Sequence, residues 1–127
     1  MSTLSQTSGA LAARVATLNE LAAAGIDATG DAGAAAPGVM TVLVGLPSLL
    51  GRGQASTAYS VPVTVISGDP LNTDHAVERL YALADDVAFA LRIAEYRPGS
   101  FTGGVNAEPL PAIELAANVT LAHTNGG

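Results

Sequence analysis

The chain predicts an α+β fold, a small and mainly antiparallel sheet with two helices packed on one face, in the order αββαββ. Three observations predict it. Two long segments carry apolar residues at helical spacing, each is followed by a pair of strand-like runs, and the last run alternates cleanly between apolar and polar positions. No plausible catalytic constellation lies on any of them, so the surface itself is the expected functional part.

The first helix is expected from Ser8, a good N-cap, with Leu11, Val15, Leu18 and Ala22 on one face and Gly25 closing it. Residues 26–37 are rich in Gly, Ala and Asp and lack periodicity, which reads as a flexible connector inside a single domain spanning 1–127. Val39 to Val44 is a nearly continuous apolar run, suited to a central strand covered on both faces or to an oligomer contact. Leu46 to Ala55 reads as a hairpin loop with Leu49 and Leu50 at its tip. Thr57 to Ile66 alternates, with Tyr59, Val61, Val63 and Val65 on one face, and Pro62 argues for an edge position or a bulge.

The second helix follows Gly68-Asp69-Pro70, is capped by Asn72 or Thr73, and runs to about Tyr96, where Pro98-Gly99 stops it. Val77, Leu80, Tyr81, Ala84, Val87, Ala88 and Leu91 form its core stripe. At 100° per residue, Ala82, Phe89 and Ile93 fall on the opposite side among polar neighbours. Two further strands are expected at Ser100–Ala107 and Ala112–Ala122, the second with Ile113, Leu115, Ala117, Val119 and Leu121 facing inward. Residues 123–127 should fray.

At 127 residues the chain is long enough to bury about two thirds of its unfolded surface without a disulfide or metal. The absence of cysteine excludes thiolate chemistry and cysteine-ligated zinc. With a net charge of -6 and only five scattered cations, Arg14, Arg52, Arg79, Arg92 and Arg97, stable nucleic-acid binding is not expected. No stretch approaches the ~18 apolar residues of a membrane span, and Met1 to Gly9 lacks a basic export signal.

The candidate motifs favour bland readings. His75 and Glu78 stand one helical turn apart but lack a third metal ligand, and an acidic first turn suits the helix dipole. Asp85 and Asp86 are adjacent on a helix and diverge by about 100°, too far to serve one substrate atom. Gly51-Arg-Gly53 lacks the lysine and remaining glycines of a phosphate loop, and no serine sits in a nucleophile elbow. No catalytic, cofactor or metal residue is therefore assigned. The residues left over are apolar or basic surface positions, Leu49, Leu50 and Arg52 in the hairpin and Ala82, Phe89 and Ile93 on the second helix, and these are the candidate assembly contacts.

The order of elements, together with Leu21-Ala-Ala-Ala-Gly25, Val39-Met-Thr-Val-Leu-Val-Gly-Leu-Pro47, Tyr59-Ser-Val-Pro-Val-Thr-Val-Ile66 and the helix from Asp74 to Arg92, resembles the tail terminator proteins of long, noncontractile-tailed bacteriophages, especially those of actinobacteria. The resemblance implies a subunit of a homohexameric ring at the head-proximal end of the tail tube. Such a ring halts tube growth, touches the tail tube protein and docks the head connector, while DNA passes through its lumen. It would be made in the host cytoplasm, reside in the virion and need neither active site nor cofactor. Acidity fits a lumen through which duplex slides without sticking. The competing readings are another neck or head completion protein, a small oligomeric α+β enzyme and a ligand-binding module. Convergent polar groups in a pocket would mark an enzyme, whereas a ring subunit should bury two dissimilar surfaces against its neighbours.

Overall fold

The computed structural model describes residues 2–31, 40–69, 73–102 and 109–122. Its elements are α1 (Ser2–Ala23), β1 (Thr41–Val44), β2 (Ser48–Arg52), β3 (Ser56–Ile66), α2 (Asp74–Leu91), β4 (Arg97–Phe101) and β5 (Leu110–Ala122). All strand pairs are antiparallel, in the order β1-β3-β5-β4, with β2 also on β3. Both helices pack on one face, as the α+β reading requires. The core joins Val61, Val63, Val65, Leu115 and Ala117 of the central strands to Ala13 and Leu21 of α1 and Leu80, Ala84 and Val87 of α2. Fully burying each large apolar side chain there contributes about 1.5 to 3 kcal/mol. A smaller cluster of Ile66, Leu110 and Ala112, with Leu43 and Phe101, lies on the other face of the sheet.

The hairpin loop expected at Leu46–Ala55 instead contains strand β2. Ser48 pairs with Ser60 and Arg52 with Thr57, and the register shifts between Leu49 and Gly51, so Leu50 is the bulged residue. β1 and β2 thus lie end to end along the same side of β3, interrupted at residues 45–47. Pro62 explains the interruption. Its carbonyl accepts the Gly45 amide at 2.8 Å, so its donor-less nitrogen faces the gap between the two short strands. β3 is therefore a central strand, not an edge strand, and it tolerates proline because the ladder is broken at that point. β1 is in turn an edge strand, covered in part by Thr29, whose amide donates to Val42 (2.9 Å) and whose carbonyl accepts from Val44 (2.8 Å).

The helix ends share one geometry. At α1, Gly25 has φ +80, its amide donates to Ala22 at 3.0 Å, and the Ile26 amide donates to Leu21 at 2.9 Å. At α2, Arg92 adopts the left-handed conformation (φ 57, ψ 44), its amide donates to Phe89 at 3.3 Å, and Ile93 donates to Ala88 at 2.8 Å. Each is a Schellman cap followed by an isoleucine packed against the core. The second helix consequently stops at Leu91 and not near Tyr96, and Pro98 and Gly99 belong to edge strand β4.

α1 begins at Ser2, ahead of the expected Ser8, and is rotated relative to the expected face. Ala13, Thr17 and Leu21 are buried, whereas Leu11 and Val15 are about half exposed, at 48% and 52%. Small residues let the helix approach the sheet closely: a Cβ on Gly9 would sit 2.7 Å from the Tyr59 hydroxyl. Arg14 ties this helix to the β1 edge by donating to the Gly30 carbonyl at 2.6 Å and to Val44 at 3.4 Å. Of the connector read at 26–37, residues 26–31 are thus described, with Ile26 and Ala28 against the core; 32–37 lie outside the described residues, as do the expected fraying residues 123–127.

Candidate assembly interface

α2 owes its start to Thr73, whose side chain accepts the Ala76 amide at 3.2 Å, and to Asp74 in the first turn. From that start, helical spacing turns Leu80, Ala84, Val87, Ala88 and Leu91 inward. It turns Ala82 and Phe89, seven residues apart, outward together. Phe89 is 89% exposed, the most exposed large apolar side chain among the described residues. Leaving a phenylalanine in water forgoes a burial worth about 1.5 to 3 kcal/mol, which keeps Phe89 among the candidate contact residues.

Ile93 does not join that stripe. The expected grouping assumed a helix continuing at 100° per residue, but the left-handed Arg92 turns the chain, and Ile93 is half-buried against the core. The following residues fold back beside the helix. The Tyr96 ring lies 6.1 Å from that of Tyr81, centroid to centroid, and its hydroxyl donates to Asp85 Oδ1. That hydrogen bond to a carboxylate, reinforced by burial, raises the Tyr96 pKa above its ordinary 10.0. Asp85 is therefore occupied structurally, and Asp86 stands exposed on its own.

The second group of candidates lies on β2. All five of its residues are exposed, including Leu49 (53%), Leu50 (56%) and Arg52, and Leu46 just before it is 71% exposed. Leu49, Leu50 and Arg52 thus share one short edge strand, while Ala82 and Phe89 share one helix face. The sequence reading missed Leu11 and Val15, which its helical wheel turned inward.

Elsewhere the described residues include no group of three or more His, Asp or Glu side chains able to hold a metal, and no buried side-chain polar atom without a partner. No helix is long and apolar enough to cross a membrane. No protein-family model and no curated protein matches the chain.

Proposed function

We propose that this chain is a structural virion protein that forms a homo-oligomeric ring, a hexamer, capping the head-proximal end of a phage tail tube. In that role it stops tube polymerisation and docks the head connector. The observation that supports the reading best is Phe89, almost fully exposed on α2 while a second, dissimilar apolar surface stands on β2. Two unlike surfaces suit a head-to-tail contact, which closes into a ring, better than a self-complementary twofold one. The sequence resemblance supplies the tail context, and the net charge of -6 is compatible with DNA passing through the lumen without stable binding.

Six copies of a 12.6 kDa chain give about 76 kDa, which native mass measurement reads directly. The expected result is a ring of that mass in purified tails, together with tails of uncontrolled length when the protein is withheld from assembly. A monomer or simple dimer in assembled tails overturns the proposal.

A further inference from the structure

β5 is thirteen residues long, yet β4 pairs only with its first part, ending where Arg97 stands opposite Glu114. Among the described residues, no strand covers Leu115 to Ala122 on the side away from β3. The direction of the backbone groups there follows from Pro62. Its carbonyl faces Gly45, so the even-numbered residues of β3 near it turn their polar groups toward β1 and β2, and the odd-numbered ones turn toward β5. By the observed register, Val61 opposite Ala117 and Val63 opposite Leu115, the amides and carbonyls of Ala116, Asn118 and Thr120 point outward. The stretch Leu-Ala-Ala-Asn-Val-Thr-Leu-Ala contains no proline or charged residue, and its pairing with β3 shows no bulge. Those are the devices that ordinarily guard a free edge.

Among the described residues, the opposite side of the same row is open as well. β2 pairs with Thr57 to Ser60 of β3, and those four residues pair with Asn118 to Leu121 of β5. Each subunit therefore carries a three-stranded row with a free strand at either end. We propose that copies join by strand addition, the outer edge of β2 in one copy pairing with residues 115–122 of β5 in the next. This rests on the ring reading and refines it: the seam sets β2 against the β5 edge, and the Phe89 face is left for the tail tube or the head connector.

The surroundings favour this occupant. A groove of about 1090 Å³ follows the free β5 edge, walled by Thr17 and Glu20 of α1 and by the turn from Leu91 to Arg97. Its lining holds three carboxylates, Glu20, Glu95 and Glu114, against two guanidinium groups, Arg92 and Arg97. Arg97 and Glu114 approach to 3.9 Å, and the remainder is net acidic. The arriving β2 brings Arg52. Leu49 stands opposite Tyr59, on the helix-facing side, so it arrives where Ala16, Ile93 and Val119 offer apolar surface. Joining two β5 edges by a twofold axis would oppose two acidic grooves and leave Leu49 uncovered.

The chain has no cysteine, so introduced pairs report cleanly. Neighbouring strands lie about 4.8 Å apart, within disulfide reach. Ser48 pairs with Ser60, on the same sheet face as Asn118 and Thr120, so Ser48→Cys is combined with Asn118→Cys in one protein and with Thr120→Cys in another. Under oxidising conditions, assembled protein with one of these pairs is expected to give a ladder of covalent multimers, and each single variant none. Thr120→Pro, which deletes an outward amide, should weaken ring formation by about tenfold or more while circular dichroism stays native. Should that variant unfold, the cysteine ladder still decides. Covalent dimers from Asn118→Cys alone would show a twofold edge and overturn the seam. A ring of normal mass with no ladder from either pair overturns the seam and leaves the ring reading standing, whereas failure of the unmodified chain to assemble in tails removes both.

Discussion

Arg92 holds a backbone conformation that costs an ordinary L-residue about 1 to 2 kcal/mol, and glycine adopts it freely. Part of that gain returns through glycine's greater unfolded-state entropy, so Arg92→Gly should stabilise the subunit by about 0.5 to 1 kcal/mol in thermal melting. Gly25→Ala, at φ +80, should destabilise it by about 1 kcal/mol. These matched positions also mark the limit of residue-level legibility. Gly25 announces its cap, whereas an arginine in the left-handed region carries no such signal, so the sequence reading extended the helix and misplaced Ile93. Tyr96 offers a third test. Its pKa is raised, so the native state holds the phenolic proton more tightly, and the stabilisation is complete below the ordinary tyrosine range and lost as pH climbs through the folded value. Absorbance titration should show the Tyr96 midpoint falling in Asp85→Asn.

At the scale of elements, α2 sets a buried core face opposite an exposed face that carries Phe89. Leu80→Asp places a charge at a position only 3% exposed and should cost on the order of 4 kcal/mol, enough to unfold a marginal subunit. Phe89→Asp should change stability by no more than about 0.5 kcal/mol in thermal melting and abolish tail assembly in complementation. Equal losses of stability from the two would return Phe89 to the core. This division was legible because α2 is long, strongly periodic and flanked by a clear N-cap. Alternation likewise exposed β3 and β5. β2 was not legible, since Gly45, Pro47, Gly51 and Gly53 give it the composition of a loop and only its pairing with β3 makes it a strand. The burial of α1 was misread for a related reason. Close approach to the sheet favours Ala13 and Thr17 over the bulkier Leu11 and Val15, a choice made by tertiary packing and invisible to a helical wheel.

Taken whole, the molecule consists of an αβββ half and an αββ half joined through β3 and β5, with both helices on one face and both ending in the same cap. The halves differ at their outer strands, where one carries β1 and β2 in succession and the other only β4. That asymmetry gives the subunit two dissimilar sides, as a ring formed by one repeated contact requires. The break opposite Pro62 adds a mechanical consequence. Because β1 and β2 are separate ladders on one supporting strand, the β2 arm can lift away about Gly45 while Val42 and Val44 stay seated in the core, like a latch hinged on a fixed plate. Amide exchange in the free subunit should therefore be faster across Ser48 to Arg52 than across Thr41 to Val44. On assembly the latch should slow together with the outward amides of Ala116, Asn118 and Thr120, so these two short stretches would report whether the subunit is closed into its ring.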